Sequence, residues 1–594
     1  MVTIDELKNL DRSKFTKASD GWGLISSRAN AARERVDQQI TARLRGTQKG
    51  DAATAALKNL DTLTKNYQYI HAECGLIRTA LSGLAEELEA PQRKLKQALE
   101  DAEGMKFTVK PDGSVEYPKT PSTPAPLLPT PAAPGAMPSL LKPDSTLDPN
   151  QAKAQEIANR IGDALKEASE IDGRYTRALA KLTTNSDLTK TDWSDVARDV
   201  KDIRAAAGKH FSDSKIPKGK SPKENAKWWA NLSPAEQDEY AALYPASIGA
   251  MDGLPAAIRD GANRIVLTES REDLLQQLKS LDANQPEKLL HFMRSDARSE
   301  VQISPKWEEW KSEREQVSGK LDGMNAIQRR LDLESKEDLP EAYLLGFDTR
   351  GNGHAIVANG NPDSAANTAV YVPGTTARLA GIDGDIKRMT RLWAAGRGMP
   401  GSPDLSTVTW LGYDAPQSIV PEAMSEEYAH AGAPRLNNFL DGLQTAQGGP
   451  GRSHTTVIGH SYGSTVVGDA SNKGDLAADD IIVAGSPGML VKEAGDLDVG
   501  KGHVWSEAAS TVDDQVPLGG RVVGLGGYKM GVQTWHGIPY NVGLQQTVPS
   551  DEAFGANRMT TDSDSHSHYW EPDSVSLRNQ AAVVVGQYKK VELE

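Results

Sequence analysis

The stretch "HTTVIGHSYGSTVVGDA", residues 454–470, decides how the rest of the chain is read. Apolar residues lead up to Gly459, Ser461 stands between Gly459 and Gly463, and a helix-compatible run follows. "TTVIG" reads as a strand and "STVVGDASN" as the start of a helix, so Gly-x-Ser-x-Gly falls on a strand-to-helix corner. A nucleophile elbow forces its serine into a strained backbone conformation. Side chains two residues either side would then collide with the neighbouring strand and helix, which explains the two glycines. On such a corner the N-terminus of the following helix and the N–H of Tyr462 face a developing oxyanion. The bland alternative is a Gly-Ser turn without chemistry, and the choice rests on what the rest of the chain supplies.

The surroundings fit an α/β domain over 339–594. Short apolar runs, "YLLGFD", "HAIVANG", "TAVYVP", "TVTWLGYD", "HTTVIGH", "DDIIVAGSPG" and "HVWSEAAS", alternate with polar helical segments such as "IDGDIKRMTRLWAAGRG" and "PRLNNFLDGLQTA". Near-continuous apolar strands separated by helices are what a mostly parallel sheet covered on both faces requires.

A serine needs a base, and in this topology the partners follow in the order serine, acid, histidine. "GHVWSEAASTVDDQVP" runs a strand into Asp513 and Asp514, and "TTDSDSHSHYWEPDSVSLRN" places His566 and His568 in a polar loop before the last helix. The order is met, but the residues alone leave either member of each pair open as acid or base. "AVYVPGTTARLAG" (369–381) ends a strand at Pro373, and Thr375 and Thr376 offer N–H groups as the second oxyanion donor beside Tyr462. Tyr413 and Asp414 in "WLGYDAP" either line the pocket or, for Asp414, cap a loop. Asp562, Asp564, His566 and His568 form a donor set suited to zinc or manganese. Polar loops assemble such sets without a metal, so the site is read as metal-free and cofactor-free. The insert 517–559 reads as a lid or pocket wall, with Trp535 beside an acyl chain.

Upstream the chain is helical. Residues 1–105 carry apolar residues at spacings of three and four, "KFTVKPDGSVEY" (106–117) reads as a small hairpin, and 118–143 is a proline-rich spacer within a 106–150 linker. A second helical or coiled-coil domain is expected over 151–338, with a capping box at Ser233–Glu236 and Trp228 and Trp229 as packing anchors. The 594 residues are 38% hydrophobic and 25% charged, with a net charge of −14, which speaks against a broad nucleic-acid face. The single cysteine, Cys74, excludes an intrachain disulfide and a cysteine zinc site. No window suggests a spanning helix, and "MVTIDELKNLDRSKF" has no apolar run behind its charges, so no signal peptide is expected.

The motifs "AYLLGFDTRGNGHAIVANGN", "VYVPGTTARL", "WLGYDAP", "GAPRLNNFLDGL", "TVIGHSYGSTVVG", "VAGSPG" and "HSHYWEPDSVSLRN" together resemble an actinobacterial α/β-hydrolase family of largely unknown function. The resemblance covers roughly 340–590 and implies an α/β-hydrolase fold. It implies Ser461 as nucleophile, Asp514 as the acid before x-Val-Pro, and His566 as the base before Ser-x-Tyr, while His568 departs from the family's small residue. The N-terminal part is similar to WXG-type helical modules of type VII secretion substrates, with Gln48 in "LRGTQKGDAATAALKNL" at the tryptophan position. That likeness implies a secretion-system partner for the helices and either a cytoplasmic location or leaderless export. The expectation is a serine hydrolase of carboxylic esters, acting on a lipid, a wax ester or a small acyl ester. The competing expectation is a targeting or partner-binding protein, toxin-like in one version, whose hydrolase domain is vestigial or a scaffold.

Overall fold

The computed structural model describes residues 2–41, 43–44, 48, 50–119, 148–182, 193–207, 213–293, 299–333, 339–401, 404–510, 512–523, 525–535 and 538–594. The proline-rich spacer at 118–143, apart from its first two residues, and Lys49 of the WXG-like turn lie outside the described residues. Two compact units emerge, one made of Met1–Ala31, Gln68–Leu188 and Arg198–Asp213, the other of Ala32–Tyr67, Thr189–Ala197 and Ser214–Glu594.

In the first unit the helix Glu89–Gly104 packs on the helix Pro149–Leu179. Both bury small and aliphatic residues, Leu95, Ala98 and Ala102 on one and Ile157, Ile161, Ala164 and Ala168 on the other. Tyr175 is fully buried and donates from its hydroxyl to Glu87 at 2.8 Å. The predicted hairpin pairs Thr108–Val109 with Val115–Glu116. The boundary expected at 150/151 therefore does not separate two units. The amphipathic stripe of 149–179 is covered by the N-terminal helices, and the sequence from 214 onward groups with the sheet.

The second unit is built on an eight-stranded sheet. Its strands are β1 (Ala342–Asp348), β2 (His354–Asn359), β3 (Asn367–Val372), β4 (Leu405–Leu411), β5 (His454–His460), β6 (Asp480–Ala484), β7 (Val504–Glu507) and β10 (Asn557–Arg558). The hairpin β8 (Gly527–Trp535) and β9 (Ile538–Thr547) forms a separate two-stranded sheet. The spatial order is β10-β7-β6-β5-β3-β4-β2-β1, and β2 alone runs against the others. The main helices around it are α1 (Ile382–Arg397), α2 (Glu427–Ala446), α3 (Tyr462–Lys473), α4 (Val516–Val523) and α5 (Val575–Val584).

Every residue of β3, β4 and β6 is buried, as strands covered on both faces require. Successive side chains of β3 point to opposite faces. Val370 and Val372 join a core with Phe439 and Leu440 of α2 and Val466 of α3. Ala369 and Tyr371 join Met389 and Leu392 of α1 and Leu577 and Ala581 of α5. This is the α/β-hydrolase fold, a mostly parallel sheet with helices on both sides.

The segment between 214 and 333 belongs to this unit. The capping box forms, with Ser233 N–H donating to Glu236 at 2.8 Å and Glu236 N–H to the Ser233 hydroxyl at 3.3 Å. Trp229 is buried in a small cluster with Tyr240 and Ile248. Polar side chains of the helix Ala256–Ala283 satisfy the outer edge of β1. Leu344 N–H donates to Asp260 at 2.7 Å, Asn263 donates to the Leu344 carbonyl at 2.9 Å, and Arg264 donates to the Ala342 carbonyl at 3.0 Å. Those groups have no strand neighbour, and buried backbone polar groups need a partner. No described helix is long and apolar enough to cross a membrane.

Candidate active site

β5 is central, and its chain turns into α3 at Ser461, whose backbone has φ 53° and ψ −130°. A non-glycine residue there is strained, by roughly 1–3 kcal/mol. The neighbours leave no room for side chains. A Cβ on Gly463 would lie 2.1 Å from the Val372 carbonyl oxygen, and one on Gly459 2.5 Å from the Ser464 Cα. The corner is held from below: Ser461 N–H donates to the Ala484 carbonyl at 3.0 Å, and the Ser464 hydroxyl donates to the Ser461 carbonyl at 2.6 Å. Ser461 itself is 7% exposed.

The loop after β3 closes on the same corner. A Cβ on Gly374 would sit 2.7 Å from the Ser461 Cβ and 2.8 Å from the Tyr462 nitrogen, so only glycine lets the two loops meet. Thr376 does not serve as the second oxyanion donor, because its N–H donates to the Pro416 carbonyl at 2.7 Å. Thr375 N–H has no such bond among the described residues. Tyr413 is a strut rather than a pocket residue: fully buried, it donates to the Pro373 carbonyl at 2.7 Å. Asp414 accepts from Asn352 N–H at 3.2 Å and so ties the β1–β2 turn.

The loops after β7 and β10 bring Asp514 and His566 together. Asp514 is buried and takes three hydrogen bonds: from His566 Nδ1 at 2.9 Å, from the Tyr569 hydroxyl at 2.7 Å and from Val516 N–H at 2.9 Å. Burial pushes its carboxyl up, but the His566 and Tyr569 hydrogen bonds and the His566 charge outweigh it and hold it below the ordinary range. Asp513 faces outward, exposed, and accepts from the Ser510 hydroxyl at 2.5 Å. His568 pairs with Asp564 at 2.6 Å on the surface, away from Asp514. Gly485, which follows β6, makes space for the pair: a Cβ there would lie 2.7 Å from Asp514 Oδ2 and 2.8 Å from His566 Nδ1. Ser461 Oγ makes no hydrogen bond among the described residues.

The residues considered as a metal set diverge. Asp562 caps α5 by accepting from Val575 N–H at 2.9 Å, while Asp564 and His566 bond to His568 and Asp514. Among the described residues no group of three or more histidine, cysteine, aspartate or glutamate side chains could hold a metal ion. The insert opens with α4 and the β8–β9 hairpin, and its base packs against the loop after β6, where a Cβ on Gly488 would meet the Leu525 carbonyl at 2.1 Å. The side chain of Trp535 lies outside the described residues.

Sequence reasoning missed a buried acid beside the base loop. Gln580 Nε2 donates to Glu507 Oε1 at 2.5 Å and to the Tyr569 carbonyl at 3.1 Å. Glu507 Oε2 and Gln580 Oε1 are both left without a partner. Burial drives the Glu507 carboxyl far up, which favours its neutral form. A carboxyl whose folded pKa is raised stabilises the fold below its unfolded pKa, and that contribution is lost as pH rises toward the folded value. Glu507→Gln, a neutral isostere, should therefore gain on the parent by up to about 1.4 kcal/mol per pH unit above about pH 4.3. Thermal melts from pH 5 to 8 would read this as a widening gap in Tm in favour of the variant; a constant offset would mean Glu507 is not held neutral.

Comparison with known proteins agrees with the fold. A family model described as alpha/beta hydrolase matches residues 348–520, which include Ser461 and Asp514 and stop short of His566. The chain is 28% identical over 390 residues to uncharacterized protein Rv2079 of Mycobacterium tuberculosis, covering 62% of this chain and 56% of the relative. It is 30% identical over 176 residues to uncharacterized protein Mb0988c of Mycobacterium bovis, covering 28% of this chain and 65% of the relative. The chain thus spans little more than half the length of the curated relatives it matches most extensively. No solved structure matches it.

Proposed function

We propose that this protein is a serine hydrolase of carboxylic esters or related acyl compounds, working through Ser461, His566 and Asp514 and an acyl-enzyme. The observation that carries the reading is the strained serine corner at the end of β5, with the buried Asp514–His566 pair on the same sheet edge. Asp514 accepts from Nδ1–H and so fixes the tautomer in which His566 Nε2 is a free base. Ser461 Oγ attacks the acyl carbonyl while His566 Nε2 takes its proton. The Tyr462 and Thr375 N–H groups stabilise the oxyanion. Collapse breaks the ester C–O bond, and the alcohol leaves with the proton from His566. Water, deprotonated by the same imidazole, then releases the acid and restores Ser461. The chemistry calls on no cofactor.

The test is labelling of the full-length protein with a fluorophosphonate, followed by mass spectrometry of the modified peptide. Phosphonylation should fall on Ser461 and be lost in His566→Ala, while His568→Ala labels like the parent. A folded protein that takes up no probe would end the proposal.

A further inference from the structure

His460, the residue before the serine, takes no part in the reaction above, yet it is 6% exposed and surrounded by polar groups. Its Nε2 lies 2.8 Å from the backbone carbonyl oxygen of His566. A carbonyl only accepts, so the ring proton is on Nε2 and Nδ1 is the acceptor. Nδ1 faces the Tyr371 hydroxyl at 3.4 Å. The Tyr371 hydroxyl in turn accepts from Arg388 at 2.9 Å and donates to Asp385 at 3.2 Å, both on α1. Burial, reinforced by the nearby Arg388 charge, holds His460 well below the ordinary histidine range, so it stays neutral with a single N–H. The ring is walled in by Trp570, edge-on at 5.1 Å, and by the His566 ring at 4.8 Å.

Two independent restraints thus act on His566. Asp514 holds its side chain, and His460 holds its main chain. The second restraint starts one residue from the nucleophile, so it links the base to the serine through a single peptide bond. Arg391 of α1 secures the same loop further on, donating to the Trp570 carbonyl at 3.2 Å and to Glu571 at 3.0 Å.

We infer that His460 is a positioning residue, whose Nε2–H bond to the His566 carbonyl sets the distance between the base and Ser461. The inference rests on the serine-hydrolase reading. A misplacement of about 1 Å at a reacting pair costs on the order of 100-fold in rate.

The experiment compares His460→Phe, which keeps a ring but no donor, with His460→Gln, which keeps an N–H at similar reach. kcat and KM are measured on a p-nitrophenyl ester, with the fluorophosphonate labelling rate and Tm alongside. His460→Phe should lose roughly 10- to 100-fold in kcat and in labelling rate with KM within about twofold, and His460→Gln should recover most of that. Should the Phe variant not fold, His460→Met replaces it as the flexible donor-free variant. Undiminished kcat in a folded donor-free variant, or equal losses with and without the donor, would overturn the inference and leave the hydrolase reading standing. A parent protein inert to probe and ester would remove that reading, and this inference with it.

Discussion

Ser461→Ala should lower kcat on an activated ester by about a million-fold, to the residue of catalysis that binding and the oxyanion donors supply. The size follows from the division of labour at the site. On the proposed mechanism every step of His566 and Asp514 depends on the serine hydroxyl or its acyl ester, so removing it should disable all three together, and His566→Ala in the Ser461→Ala background should cost nearly nothing more. Ser461→Gly separates chemistry from strain. It should be equally inactive, and it should gain stability by relieving the positive φ of 53°. Steady-state assays and thermal melts on the three proteins check both halves. Residual turnover within about tenfold of the parent would place the nucleophile elsewhere.

Asp514→Asn should lower kcat/KM by about ten-thousand-fold while the protein stays folded. An amide keeps the shape but can present N–H instead of oxygen to His566 Nδ1, which stabilises the wrong tautomer and takes the lone pair from Nε2. The environment makes this acute, because Asp514 Oδ2 already accepts from both His566 and Tyr569. The neighbour is the internal control. Asp513 is exposed and bonded to Ser510, so Asp513→Asn should stay within about twofold of the parent. If the two variants behaved alike, Asp514 would not be the orienting acid.

Much of this was legible from residue types. The corner at Ser461 follows from two glycines in a strand-to-helix setting, because the steric demand that selects glycine there is local. Residue types alone left the proposed acid and base open within the pairs Asp513/Asp514 and His566/His568. Asp513 and Asp514 are chemically identical in sequence, and what separates them is the turn that buries one and exposes the other. The engagement of Thr376 was hidden for a similar reason: its partner, the Pro416 carbonyl, is a backbone group forty positions away. The helix Ala256–Ala283 misled the domain division. Its sheet-facing positions include Asp260, Asn263 and Arg264, which in a periodicity reading belong to a solvated face. Asp260 and Asn263 are buried and Arg264 is half-buried against the strand whose peptide groups they satisfy.

That last arrangement bears on how the protein avoids sticking to itself. A sheet with a bare outer strand is a template for another strand of the same kind, and β1, "AYLLGFD", is short, apolar and nearly uncharged. By answering the Leu344 amide and the Leu344 and Ala342 carbonyls with side chains, the helix leaves an incoming strand fewer groups to pair with. A natural or laboratory truncation between 284 and 341 that discarded the helix would keep every residue of the proposed chemistry and unmask an aggregation seed. The helix before the sheet thus caps part of an edge that would otherwise be open to strand pairing.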